Sequence, residues 1–252
     1  MAGHNKWSKI KRKKGVLDAK RGAIFSRIIK EIYIAVKEGG NADPDFNPRL
    51  RLALNNAKGA NMPKENIERA IKKAVDSSGD AILQPTYEGY APGGIAVFVE
   101  CATDNLNRTV AAVRAVFNKK GGNLATSGSV DYLFERKGVF VINRDDSTDP
   151  EVLELELIDG GAEDIEKDEE SNEITINVSF EDFGNMQNKL EHLGIEPQSA
   201  TLERIPLNTV SLDVREARKA LQLIEDLEEV EDVQNVFHNL EMTDELMREL
   251  DE

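Results

Sequence analysis

Six segments between residues 137 and 205 follow one another in an order that restricts the fold more than any other feature of the chain. Their lengths and periodicities predict a strand, a helix, two strands around an acidic turn, a helix and a strand. The segments are Val139–Ile142, Pro150–Ile158, Asp164–Lys167, Ile174–Val178, Glu181–Leu193 and Ser199–Ile205. A β-α-β-β-α-β order that closes within about seventy residues is the ferredoxin-like arrangement. The sequence therefore predicts a compact domain over residues 137–205.

The N-terminal third of the chain has the pattern of a helical domain instead. A first helix contains Phe25–Val36 and ends at Gly39, a second is capped by Asn47, and a third begins at Pro63. Three amphipathic helices with short connections predict a small bundle within residues 1–79.

Segments on both sides of the ferredoxin-like region predict a further α/β domain. They are the strand Ile95–Cys101, the helix Arg108–Lys119, the strand Val130–Phe134, the helix Val214–Leu227 and the strand Val230–His238, with residues 76–86 as a linker. We expect residues 80–136 plus 206–240 to form one discontinuous domain into which residues 137–205 are inserted. The fold class is thus α+β: a three-helix domain followed by two α/β (ferredoxin-like) domains. The acidic tail, residues 241–252, is expected to fray.

Charge divides the chain into a basic head and an acidic body. The formal net charge is −15, but residues 1–76 hold 18 Lys and Arg against eight Asp and Glu, a net charge of +10, which leaves −25 for the rest. Such asymmetry indicates a segment that faces a polyanion. Residues 4–14 are expected to form a mobile arm, because their basic side chains repel one another.

Nucleic acid is the polyanion that this head fits best. Lysine and arginine neutralise phosphates, and Trp7 offers a flat face for stacking on a base or for anchoring the arm. A membrane surface requires large apolar residues opposite the charges, but residues 4–14 have only Trp7 and Ile10. A solvated arm without a role is the remaining alternative. The candidate nucleic-acid-binding residues are Lys6, Trp7, Lys9, Lys11, Arg12, Lys13, Lys14, Lys20, Arg21 and Arg27.

The usual sequence motifs of catalysis and metal binding are missing. The three histidines are scattered and Cys101 is alone, which argues against a zinc site. No Gly-x-Ser-x-Gly motif occurs, and neither glycine-rich stretch fits a phosphate-binding loop. We therefore expect no enzyme activity, no metal and no cofactor.

One polar loop, residues 103–109, has two interpretations. It joins a strand to a helix N-terminus, where backbone N–H groups can receive an anion. Its candidate ligand residues are Asp104, Asn105, Asn107, Arg108 and Thr109. Capping of the helix by Asp104 or Asn105 is the more frequent use of such residues.

The compartment follows from what the sequence lacks. A single cysteine cannot form an internal disulfide, no apolar segment follows the basic N-terminus, and no apolar run is long enough to span a membrane. These features predict a soluble, cytoplasmic protein that does not bind membranes.

Motifs along the chain resemble a known family. They are Gly3-His4-Asn5-Lys6-Trp7-Ser8-Lys9-Ile10-Lys11, Asn47-Pro48-Arg49-Leu50-Arg51, Asn61-Met62-Pro63, Tyr87-Glu88-Gly89-Tyr90-Ala91-Pro92-Gly93-Gly94, Thr103-Asp104-Asn105-Leu106-Asn107-Arg108-Thr109-Val110, Gly121-Gly122-Asn123-Leu124 and Val233-Gln234-Asn235-Val236-Phe237-His238-Asn239. Together they resemble the YebC/PmpR family, whose eukaryotic relative is the mitochondrial translational activator of cytochrome oxidase. The resemblance covers essentially the whole chain.

The resemblance implies a three-domain, cytoplasmic, non-enzymatic regulator. Family members look like DNA-binding regulators of transcription in some contexts and like ribosome-associated translation factors in others. The leading hypothesis is a regulator of transcription that binds DNA through the arm and the first helices, with little sequence preference. The alternative is a translation factor that binds ribosomal RNA with the same residues. A third hypothesis is an enzyme or small-ligand sensor at the 103–109 loop.

Overall fold

The computed structural model describes residues 17–77, 82–143, 149–168 and 171–251. Within these ranges the chain has an α+β fold with two compact units. The first unit contains residues 17–23, 82–135 and 204–251, and the second contains the described parts of 24–77 and 136–203.

Both units contain helices and strands. The helices of the described ranges are α1 Leu17–Gly39, α2 Pro48–Gly59, α3 Lys64–Asp76, α4 Leu106–Lys119, α5 Pro150–Asp159, α6 Phe183–His192, α7 Val214–Glu228 and α8 Asp244–Asp251. The strands are β1 Thr86–Ala91, β2 Ile95–Cys101, β3 Asn123–Leu124, β4 Phe134–Asn143, β5 Ala162–Asp168, β6 Glu173–Ser179, β7 Ser199–Pro206 and β8 Val233–His238.

Asn47 fixes the turn between α1 and α2. Its side-chain oxygen accepts the N–H of Leu50 at 3.0 Å, and its amide nitrogen donates to the carbonyls of Ala35 and Asn41 at 2.8 Å each. Gly39 is required beside it, because a Cβ there would lie 2.4 Å from Nδ2 of Asn47. The predicted cap is confirmed, and the buried amide is fully bonded.

The three N-terminal helices share one hydrophobic core, as predicted. Its buried members are Ile28, Ile32, Ala35, Val36, Leu50, Ala53, Ala57, Met62, Ala70 and Ala74. Burying one large aliphatic side chain contributes about 1.5–3 kcal/mol. Packing rather than helix propensity therefore holds the bundle together.

The sheet of the second unit has the predicted ferredoxin-like order. Its strands lie in the order β5-β6-β4-β7, and β6 is antiparallel to both of its neighbours. Helices α5 and α6 cover one face, and the shared core contains Phe140, Ile142, Leu153, Leu157, Ile174, Ile176, Val178, Met186 and Leu190.

Helix α2 is attached to this same sheet. Asn56 donates to the carbonyl of Ala200 and accepts its N–H, both at 3.0 Å. Gly59 lies so close to the backbone of Gln198 that a Cβ would be 2.0 Å from its carbonyl oxygen. Leu52 packs against the sheet core. The helical bundle and the second sheet therefore form one compact unit.

The first unit is built on a sheet with the order β3-β1-β2-β8, in which neighbouring strands are antiparallel. Helices α4 and α7 pack on one face, where Phe117 and Leu223 are completely buried beside Val97. Gly89 on β1 leaves room for this packing, because a Cβ there would lie 2.7 Å from the ring of Phe117.

The strand predictions for the first unit were incomplete, and one of them was wrong. Strand β1 begins at the last residue of the predicted linker, 76–86, and continues to Ala91, where the sequence predicts no strand. The predicted strand Val130–Phe134 is a 3₁₀ turn, Asp131–Leu133, followed by β4. Val130 and Phe134 are buried on the second face of the sheet, beside Ala96, Phe98 and Phe237, and Leu133 is partly buried there. The element order is thus β-β-α-β rather than β-α-β.

The expectation of a frayed tail was also wrong over its described part. Residues 244–251 form α8, because Met242 and Leu246 are buried in the core of the first unit. Arg218 of α7 holds the far end of this helix by donating to the backbone carbonyl and the carboxylate of Glu249, at 2.7 and 2.9 Å.

Candidate nucleic-acid interface

The predicted binding residues fall into three groups. Lys6, Trp7, Lys9, Lys11, Arg12, Lys13 and Lys14 lie outside the described residues. Lys20 and Arg21 belong to α1, but their side chains are not among those described. Arg27 lies further along α1, and its surroundings are described.

Arg27 is engaged within the protein. Glu31 follows it by one helical turn, and Arg49 at the start of α2 also acts on that carboxylate. Burial raises the pKa of Glu31 to about 6, although the charges of Arg49 and Arg27 oppose the rise. Burial likewise lowers the pKa of Arg27, against the attraction of Glu31. A desolvated guanidinium beside a carboxylate is a weaker candidate for a phosphate contact than an exposed cation.

Helix α3 presents exposed cations that the sequence prediction did not name. Arg69, Lys72 and Lys73 lie at positions i, i+3 and i+4, so their side chains share one face. All three are exposed, and within the described part of the chain none has an ion pair. Glu65 and Asp76 lie one turn away on either side and confine the basic patch to the middle of the helix.

Neighbouring cations on α2 and at the start of α3 are paired. Arg51 donates to Glu191 at 3.4 Å and to the carbonyls of Pro44 and Asp45 at 3.1 Å each. Two further cations also form ion pairs: Lys58 pairs with Glu196 at 2.8 Å, and Lys64 pairs with Glu68 at 3.6 Å. The helical spacing around buried Ala70 and Ala74 could have revealed the α3 patch from the sequence, but the pairing of the other cations required the fold.

The loop 103–109 uses most of its polar groups to hold the protein together. Asn105 caps α4 by accepting the N–H of Arg108 at 3.0 Å, and Thr103 accepts the N–H of Asn105 at 2.9 Å. Thr109 donates to the carbonyl of Asn105 at 3.0 Å. Asn107 is exposed. The cap was one of the two interpretations of this loop, and the arrangement favours a structural role.

Arg108 completes this structural role. Its guanidinium donates to Asp104 at 2.9 Å and to both oxygens of the buried carboxylate of Asp232. These hydrogen bonds raise the pKa of Arg108, so the side chain stays charged. The sequence did not predict this partner, which lies 124 positions away.

A second buried carboxylate organises the loop before β4. Glu88 on β1 accepts the N–H groups of Gly128, Val130 and Asp131 at 2.7, 2.6 and 3.0 Å. Burial alone would raise the pKa of Glu88, but these three hydrogen bonds and the charge of Arg204 outweigh it, and the pKa is lowered. Glu88 therefore acts as an internal anion that fixes residues 128–131.

Among the described residues, no three or more His, Cys, Asp and Glu side chains are grouped so that they could hold a metal ion. In the same ranges no helix is long and apolar enough to cross a membrane.

Comparison with known proteins identifies relatives along almost the full length. Residues 5–77 match the N-terminal domain of TACO1/YebC proteins, and residues 83–240 match the second and third domain. A "Probable transcriptional regulatory protein" of Amoebophilus asiaticus is 53% identical over 245 residues, which cover 97% of this chain and 100% of that one. A protein of the same name from Rubrobacter xylanophilus is 48% identical over 252 residues and covers 99% of both chains.

A solved structure agrees with these matches. The crystal structure of a conserved hypothetical protein from Aquifex aeolicus aligns with a TM-score of 0.77 at 45% identity, over 89% of this chain and 91% of that one. Since both family models and relatives at this level of identity cover nearly all of the sequence, the chain belongs to the TACO1/YebC family.

Proposed function

We propose that this chain is a non-enzymatic, cytoplasmic regulator of transcription that binds DNA through its basic N-terminal part. The observation that carries the proposal is the division of charge, +10 in residues 1–76 against −25 in the remainder. Relatives that bear the name "Probable transcriptional regulatory protein" support the regulatory role.

Binding rests on neutralising phosphates. The six cations Lys6, Lys9, Lys11, Arg12, Lys13 and Lys14 form the first contact, and Trp7 stacks on a base or anchors the arm. The exposed patch of Arg69, Lys72 and Lys73 on α3 provides a second contact. The acidic remainder is repelled by DNA, so binding is confined to the basic end. Contacts of this kind position a protein but read little sequence.

A second candidate function is a translation factor that binds ribosomal RNA with the same residues. The motifs resemble a family whose eukaryotic relative is a mitochondrial translational activator, and this relationship favours the second candidate. A basic arm with one aromatic residue suits RNA as well as DNA, because phosphates and base faces occur in both.

Crosslinking in living cells, followed by sequencing of the bound nucleic acid, separates the two candidates. The proposal predicts that DNA fragments are recovered above the level of a chain that lacks residues 2–16. Recovery of ribosomal RNA instead, together with salt-sensitive migration of the protein with ribosomes, would contradict DNA binding and establish the translation factor.

A further inference from the structure

Helix α5 exposes a stripe of large apolar side chains. Val152, Leu155 and Ile158 are 51%, 67% and 53% exposed, and they lie at positions i, i+3 and i+6 on one side of the helix. The opposite side of α5 packs against the sheet through Leu153 and Leu157. The stripe is therefore additional to what the fold needs, and contiguous exposed apolar surface of this kind indicates an interaction site.

The surroundings of the stripe are strongly acidic. Residues 149–168 hold nine Asp and Glu but a single Lys, which is Lys167. Three lysines compensate part of this charge: Lys167 pairs with Glu154 at 2.7 Å, Lys189 pairs with Glu156 at 2.8 Å and with Asp159 at 2.6 Å, and Lys137 pairs with Glu163. The rim of the stripe keeps a net negative charge.

The apolar stripe and its acidic rim together favour one class of binding partner. A second copy of the chain that pairs through the same helix would bring an equally acidic rim against this one, and an anionic lipid surface would be repelled in the same way. A helix with lysine or arginine flanking an apolar face matches both features, since its apolar residues cover the stripe and its cations meet the acidic rim.

We propose that α5 is a docking surface for a basic amphipathic helix of a partner protein. Val152, Leu155 and Ile158 form the apolar contact, while exposed carboxylates such as Glu151 orient the partner. This surface lies on the acidic part of the chain and does not depend on the proposed binding of nucleic acid. The chain would thus use opposite charges at two sites for two kinds of partner.

The experiment measures binding of a fluorescein-labelled synthetic helix of Leu and Lys, about 18 residues or five turns long, by anisotropy. A scrambled peptide of the same composition tests whether the apolar face matters. The test variant of the full chain carries Val152→Ser, Leu155→Ser and Ile158→Ser. Its matched control carries Leu106→Ser, Tyr132→Ser and Leu207→Ser, which are exposed apolar residues of the first unit.

The proposal predicts that the test variant and the scrambled peptide each weaken binding by about tenfold or more, while the control variant binds like the original chain. If the triple variant does not fold, the single variant Leu155→Ser replaces it, because Leu155 is the most exposed side chain of the stripe. It should also weaken binding of the peptide. Equal binding by test and control variants would overturn the proposal, as would equal binding of the scrambled peptide. Self-association of the original chain that the triple variant abolishes would also overturn it, because the occupant would then be a second copy.

Discussion

Asp232 is buried and accepts hydrogen bonds from both Nε and Nη2 of Arg108, at 3.1 and 2.9 Å. Thr109 donates to the same carboxylate at 2.9 Å, and the backbone carbonyl of Asp232 accepts the N–H of Ala102 at 2.8 Å. One residue therefore joins the end of β2, the start of α4 and the turn before β8. The polar loop 103–109 owes its shape to this junction.

Replacing Asp232 by Asn should destabilise the protein. The amide cannot accept from Arg108 and Thr109 as the carboxylate does, and a buried polar group left with poor partners costs about 1–3 kcal/mol. Urea unfolding at neutral pH measures the change. Asp104→Asn removes the exposed partner of Arg108 and should have little effect. Equal losses for the two variants would show that the buried carboxylate is not the anchor.

Glu88→Gln should loosen residues 128–131 and lower the stability by about 2 kcal/mol at neutral pH, because an amide cannot accept all three backbone N–H groups. The pKa of Glu88 in the folded protein lies below its ordinary value of 4.5. Its contribution is therefore present above pH 4.5 and is lost as the pH falls through the folded pKa. Unfolding curves of both proteins from pH 7 to pH 3 should converge toward the acid end, and a constant difference would contradict this.

Glu31 should show the opposite dependence on pH. Its folded pKa of about 6 exceeds the ordinary 4.5, so the folded protein binds the proton more tightly and loses stability as the pH rises from 4.5 to 6. Glu31→Gln should consequently gain stability relative to the original chain over this interval, by up to about 2 kcal/mol above pH 6. Thermal unfolding in a series of buffers measures it. A difference that does not change with pH would mean that the carboxylate is not desolvated.

Removing the cations of α3 should weaken the binding of DNA. The triple variant Arg69→Gln, Lys72→Gln and Lys73→Gln should lower the slope of log affinity against log salt by about 2 to 3, because each lost phosphate contact contributes about 0.9. A matched variant, Arg114→Gln, Arg215→Gln and Lys219→Gln, removes three exposed cations from the first unit. It should leave the slope unchanged. The same loss in both variants would indicate that net charge alone matters.

The sequence predicted those elements whose own residues show the apolar periodicity of a helix or a strand. In the second unit, buried strands such as Ile174–Val178 alternate with helices that have clear boundaries, and these predictions agree with the structure. Strand β1 could not be predicted in this way, because Glu88 and Gly89 break its apolar pattern. Contacts with distant parts of the chain explain why these two residues occur in a strand. Glu88 accepts hydrogen bonds from backbone N–H groups near Val130, and the ring of Phe117 occupies the space beside Gly89.

For the candidate interface, too, the sequence alone predicts only part of the arrangement. The density of lysine and arginine near the N-terminus can be read directly from the sequence. Whether a particular cation can bind a phosphate cannot be read from the sequence in this way. Lys58, for example, is neutralised by Glu196, which lies 138 positions away. The stripe on α5 could not be predicted, because Leu155 lies among other apolar residues, two on each side, whose number is that of an ordinary core helix.

The salt dependence of DNA affinity, measured on the full chain and on a chain that lacks residues 2–16, tests the central claim most directly. The deletion removes the six cations between Lys6 and Lys14 and no acidic residue. The slope of log affinity against log salt should fall by about five on a duplex of random sequence, because each phosphate contact contributes about 0.9. A slope that stays the same after the deletion would contradict the claim that the basic arm binds the nucleic acid.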